Sequence, residues 1–305
     1  IVRVKKRLMN TEDAAQVLAK KLGLHRKFIG YAGAKDKIAV TTQYFSLKSV
    51  SVARLEAFHH DQIELEIVGK HNAPLSLGDL VGNKFTIVAR ELTKPLTQKE
   101  KIRNYFGPQR FGGGKAASEQ SERPRFGPQR FGGAKVVSER PRFGVNNKEV
   151  GKLLLEKKFK EVCELLELDS NNPVMSLRSL PKHTLMIYLH AYQSWMWNEV
   201  LEKFADEDVP EVLPLVGFGT ELEEYGEKVE GLYEQILESE DITQRSFIIK
   251  QLPNISPEGA ERACFMDVKN LQLGEFEDGV QEVSFELGKG SYATVVLDAL
   301  SGIIK

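Results

Sequence analysis

The chain has 305 residues, 41% hydrophobic and 28% charged, ordinary values for a globular protein of about two domains. Its 42 Lys and Arg nearly balance 43 Asp and Glu, a net charge of −1, which excludes a uniformly basic nucleic-acid binder but not a local basic face. Two cysteines, Cys163 and Cys264, are too few for a disulfide framework or a four-cysteine zinc site, and there is neither a signal-peptide pattern nor a long apolar run; a reducing, cytoplasmic setting is expected, with no membrane association.

The chain opens on Ile1 rather than Met, directly in the strand-like IVRVKK, and reads as a piece whose N-terminus is missing. Asn10 or Thr11 caps a helix running to Leu22, with Glu12 and Asp13 in its first turn and Gly23 at its end. A short strand, Phe28 to Tyr31, leads into the turn AGAKDK, and a second strand covers Ile38 to Leu47. IELEIVG (63–69) and FTIVAREL (85–92) read as further strands. One helix is expected over 148–167 and another from Lys182 to Lys203. The acidic stretch 204–244 mixes helix and loop signals, and VSFEL (283–287) and YATVVL (292–297) read as closing strands. Strands at both ends with helices between predict an α+β fold, a sheet domain interrupted by a largely helical insertion.

Charge is distributed in blocks. Residues 1–40 hold ten Lys or Arg against three acids, residues 101–144 again ten against three, and residues 204–244 thirteen acids against Lys228 alone. Two basic blocks and one acidic block fit a protein that grips a polyanion with one region and keeps another away from it, though solvated surface charge produces the same pattern. Residues 107–126 and 127–143 repeat: with a three-residue gap, 14 of 17 positions agree. Two copies are too few for a solenoid, so a duplicated basic surface loop is expected.

Three segments carry chemistry. GYAGAKDKIAVTTQ (30–43) displays one acid, Asp36, between Lys35 and Lys37 after small residues that permit close approach; a solvated turn has the same look. NYFGPQRFG (104–112) gathers Asn104, Tyr105, Phe106, Gln109, Arg110 and Phe111, aromatic, amide and guanidinium groups suited to stacking on and reading a flipped base, or simply to a core. The Trp195 and Trp197 of AYQSWMWNEVL (191–201) read as core.

Together with FELGKGSYATVVL (285–297), these segments resemble the tRNA pseudouridine synthase D (TruD) family, in its archaeal and eukaryotic branch; LGDLVGNKFTIVAREL, LPLVGFGT and EGAERACF fall where that family has similar stretches. The resemblance spans nearly the whole chain. It implies a mixed α/β catalytic domain around an antiparallel sheet, in residues 1–159 and 266–305, with a mostly helical insertion domain at 160–265. It implies isomerisation of a uridine, typically position 13 of tRNA, to pseudouridine. It places the catalytic aspartate on Asp36, the base-side aromatics on Phe106 and Tyr292, and the amide that holds base or ribose on Asn104. Lys35, Lys37, Gln43, Gln109 and Arg110 complete the candidate binding set. RNA is the expected partner, and no obligate protein partner is expected.

The reaction breaks a C–N glycosidic bond and rejoins the uracil through carbon, so it needs no outside atom or redox step, and no cofactor is expected. A carboxylate could attack ribose or uracil, or take a proton. A cation within ~4–6 Å would lower its pKa by ~1–3 units. In extended backbone, Lys35 and Lys37 would point away from Asp36 toward phosphate. The family's usual basic partner is expected upstream of Ile1. Extracting the base costs a few kcal/mol, which stacking at ~1–3 kcal/mol per contact offsets. Three departures stand out: the missing N-terminal strand and basic residue, the duplicated loop, and a C-terminal LDALSGIIK without the family's Arg-Glu pair. The alternatives are a non-catalytic RNA-binding relative or an inactive truncated piece; a phosphate-binding small-molecule enzyme fits poorly, because the turn lacks GxxxxGK[ST] spacing.

Overall fold

The computed structural model describes residues 1–112 and 145–304. The second repeat copy, 127–143, and the loop reading attached to it lie outside these. The described residues fall into two units, one of residues 1–83 and one of residues 84–112 and 145–304.

In the first unit, β1 (Val2–Arg7) buries Val2, Val4 and Lys6 and exposes Arg3, Lys5 and Arg7, the period-two pattern of a half-buried strand. α1 (Thr11–Leu22) starts at Asn10, whose side chain accepts from the Asp13 N–H at 2.7 Å, and ends at Gly23 in the left-handed conformation. β2 (Ile29–Tyr31), β3 (Val40–Leu47), α2 (Val52–Glu56) and β4 (Ile63–Ile67) follow. The four strands form an antiparallel sheet in the order β2-β3-β1-β4, with Val4 opposite Gln43 and Lys6 opposite Thr41. Ala14, Leu18 and Leu22 of α1 pack on Val2, Val4 and Phe45 of the sheet.

Most of β5 (Gly82–Ala89), from Lys84 on, belongs to the second unit. Where one helix was expected over 148–167, there are two, α3 (Asn147–Leu155) and α4 (Phe159–Leu165). Lys157, at φ 60°, breaks the run by taking a conformation no helix continues. α5 (Pro173–Ser179) leads to α6 (Lys182–Glu202), the expected long helix, buried on most sides; Trp197 is fully buried, as read from sequence. The acidic stretch resolves into β6 (Val212–Leu215) and α7 (Glu227–Ser239). β7 (Ala260–Ala263) pairs with β6. β8 (Val268–Glu277) and β9 (Val280–Gly288) form a hairpin whose turn, Asp278-Gly279, has positive φ at both positions, and β9 lies between β5 and β8.

YATVVL, expected as a strand, is instead the start of α8 (Ala293–Ser301), capped by Gly302 at φ 79°. Every residue from Val295 to Leu300 is buried. A run buried at every position, Asp298 included, carries no period that separates strand from buried helix, and the β-branched Val295 and Val296 biased the local reading. The expected domain boundaries after 159 and 265 both fall inside the second unit.

Both cysteines are free and buried. No helix among the described residues is long and apolar enough to cross a membrane, and no group of His, Cys, Asp or Glu among them could hold a metal ion.

Candidate active site

The candidate residues divide between the units, and each set has its own geometry. In the first, Asp36 is exposed on the loop between β2 and β3, and the fold braces that loop from below. The Lys6 ammonium, carried inward by β1, donates to the Asp36 carbonyl at 2.9 Å and to the Met9 carbonyl. Thr11 accepts from the Lys35 N–H at 2.8 Å and donates to Gln43 Oε1 at 2.8 Å. Gln43 Nε2 donates to the Gly33 carbonyl at 3.2 Å. Gly33 sits at φ 79°, and a Cβ there would meet Leu80 Cδ2 at 2.8 Å, so this entry to the loop is open only to glycine.

Four main-chain groups near Asp36 are therefore held by three side chains from β1, α1 and β3. Gln43, a candidate for binding substrate, has its amide turned into the protein. Lys35 donates its ammonium to Asn83, while Lys37 is exposed with Asp36. Burial pulls the pKa of Lys6 down, partly countered by the Asp36 charge; burial likewise lowers Lys35, again against the opposing Asp36 charge.

In the second unit, residues 102–104 pair with 264–266 through Asn104 N–H to the Cys264 carbonyl (2.7 Å) and Met266 N–H to the Ile102 carbonyl (2.8 Å). Asn104 is buried, with Nδ2 donating to the Ala263 carbonyl at 2.9 Å and Oδ1 accepting from Arg262 at 2.7 Å. Asn198 of α6 grips both main-chain groups of Phe106, accepting from its N–H at 2.9 Å and donating to its carbonyl at 3.0 Å. The Phe106 ring meets Trp197 edge-on at 5.6 Å and Tyr292 at 6.2 Å. Gly107 makes room for Tyr292: a Cβ there would lie 3.0 Å from its Cδ1. Arg110 donates to Ser194 Oγ at 3.1 Å and lies 5.6 Å from the centre of the Phe106 ring. Gln109 is exposed.

The structure thus brings together Asn104, Phe106, Arg110 and Tyr292 in one unit, and Asp36, Lys35, Lys37 and Gln43 in the other. Sequence reasoning missed Lys6, Thr11, Asn198 and Arg262. Lys6 had one readable signal, a cation at an inward position of an alternating strand. Arg262 lies in EGAERACF, a stretch the resemblance covered, but nothing there marked this side chain, whose partners lie more than twenty residues away in sequence.

A mixed α/β fold of antiparallel sheets, with an acid displayed on a braced loop and an amide-aromatic cluster, has the make-up of an RNA-modifying enzyme. The family profile of tRNA pseudouridine synthase D (TruD) matches residues 1–172 and 202–300, and the chain belongs to that family. Similar curated proteins include the tRNA pseudouridine synthase D of Aquifex aeolicus, 27% identical over 97% of this chain and 90% of that one. A probable tRNA pseudouridine synthase D of the archaeon Methanocaldococcus jannaschii is 30% identical over 97% of this chain and 84% of its own. The crystal structure of a TruD-type protein from Methanosarcina mazei covers 99% of this chain and 87% of its own at a TM-score of 0.67 and 22% identity, a likeness of fold.

Proposed function

We propose that this protein isomerises a uridine of tRNA, at position 13, to pseudouridine, and that Asp36 is its catalytic carboxylate. The observation that carries the reading is family membership along nearly the whole chain, joined to the single acid of the AGAKDK loop standing exposed on a main chain that the fold holds still. Preorganisation of that kind is what a carboxylate needs to meet a reacting atom repeatedly in one geometry. The isomerisation conserves atoms and electrons, so the chain's own groups suffice. Asn104, Phe106, Tyr292 and Arg110 serve the extracted nucleotide, the rings by stacking and the polar groups by hydrogen bonding, and exposed Lys37 serves phosphate. A tRNA substrate is in keeping with a cytoplasmic protein.

The test is incubation with unmodified tRNA followed by carbodiimide mapping of pseudouridine. Modification at position 13 by the wild type is expected, with none by Asp36→Asn and tRNA affinity within about threefold. Turnover in the variant would remove Asp36 from the chemistry; tight binding without turnover by the wild type would make the chain a non-catalytic relative.

A further inference from the structure

Arg262, on β7, sits half-buried among the candidate nucleotide contacts, and no ion pair to it exists among the described residues. Its Nε and Nη2 donate to the Asn104 carbonyl at 3.0 and 2.9 Å, and Nη2 also donates to Asn104 Oδ1 at 2.7 Å. Nη1 and Nη2 reach the Gly290 carbonyl, both at 3.2 Å, two residues before Tyr292. The guanidinium carbon lies 3.9 Å from the centre of the Phe106 ring and 5.4 Å from that of Trp197. Burial draws its pKa down to about 10, so it remains charged at neutral pH. A half-buried cation without an acid is costly to keep, and packing alone would be served by an apolar side chain.

We propose that Arg262 is a positioning residue for the target nucleotide, acting through Asn104, Phe106 and the turn that carries Tyr292. This rests on the reading of the chain as an RNA pseudouridine synthase. By accepting from Arg262 on Oδ1 and donating to Ala263 with one Nδ2 hydrogen, the Asn104 amide cannot flip, and its second Nδ2 hydrogen is left as the donor with a fixed direction. The guanidinium lies 3.9 Å from the centre of the Phe106 ring and helps fix its orientation. Each guanidinium nitrogen donates to Asn104 or Gly290, so Arg262 orients these groups through the fold. Lysine, a point charge with no planar fork, cannot reproduce the set.

The test uses the full chain and tRNA, with Arg262→Lys, Asn104→Ala and the double variant, reading single-turnover rate at saturating enzyme against the dissociation constant. Arg262→Lys is expected to slow the single-turnover step at least tenfold while tRNA affinity changes by less than threefold. Asn104→Ala is expected to slow it comparably, and the double variant to be slowed by less than the product of the two, because the Arg262–Asn104 Oδ1 contact is lost in both. The Asn104 side-chain amide resonances, assigned by their loss in Asn104→Ala, are expected to shift in RNA-free Arg262→Lys. A wild-type rate in Arg262→Lys, an affinity loss as large as the rate loss, or multiplying effects in the double variant would each overturn the inference. Should Arg262→Lys not fold, Asn104→Ala carries it: a slowed step with intact affinity supports the proposal, and a wild-type rate overturns it. A wild type without turnover overturns the enzymatic reading and this inference with it, whereas the variant outcomes, in an active wild type, bear on Arg262 alone.

Discussion

Lys6 places its ammonium 2.9 Å from the main-chain carbonyl of Asp36, across thirty residues of sequence. The same ammonium donates to the carbonyl of Met9, so one buried cation ties the strand end, the helix entry and the Asp36 loop together. Lys6→Met would leave both acceptors without this donor, at ~1–3 kcal/mol for each that stays buried. We expect the variant to lose most single-turnover activity while binding tRNA within about threefold of wild type. Wild-type activity in Lys6→Met would show that the loop is held without it.

Glu12 makes the stability of the first unit pH-dependent. Hydrogen bonding to Arg26 is the main cause that lowers its carboxyl to about 2, with Gln16 and Tyr31 adding to it. A carboxyl depressed in the folded state contributes above its unfolded value of 4.5, and that contribution disappears as pH falls toward about 2. Denaturant melts of wild type and Glu12→Gln should therefore differ at pH 7 and converge by about pH 2. The pair is partly exposed, so the difference is modest. A gap that stays constant over this range would rule out the linkage.

The salt dependence of tRNA binding should be smaller than the ten cations of residues 1–40 suggest. Arg3 and Lys5 pair with Glu66 and Glu64 across β1 and β4, Arg26 pairs with Glu12, and Lys6 is buried. Six phosphate contacts would give a log–log slope of about −4 to −5. Lys37→Ala should flatten the slope by ~1, whereas Lys5→Ala, a cation already paired with Glu64, should leave it nearly unchanged. Fluorescence anisotropy titrations at several salt concentrations distinguish the two.

Arg103 and Asp206 should behave unequally although they pair at 2.7 Å. Arg103 is 2% exposed and also donates to the carbonyls of Leu201 and Phe204 at 2.9 and 2.7 Å, closing the end of α6. Asp206 is 76% exposed. Asp206→Asn should cost under ~1 kcal/mol, because the buried guanidinium keeps its carbonyls. Arg103→Ala strips those carbonyls and opens a cavity, and should cost ~3 kcal/mol or more. Chemical denaturation of both variants provides the comparison, and equal effects would contradict it.

What the sequence by itself determined is what depends on near neighbours. The capped α1, the alternating β1, the long apolar α6 and the AGAKDK and NYFGPQRFG segments were all legible, because caps, periods and motif spacing act over a few residues. The tertiary structure alone decided how the polar groups of those segments are used. Gln43 and Asn104 have the same amide chemistry whether they face a ligand or a carbonyl; Thr11 and Gly33 claim the first, and Ala263 and Arg262 the second. It also made α8 a helix, since burial of the whole run from Val295 to Leu300 outweighed the local strand bias of two valines. A hydrogen-bond partner 158 residues away, as Arg262 is from Asn104, leaves no trace in local pattern, because the free energy that pairs them exists only once the chain has folded.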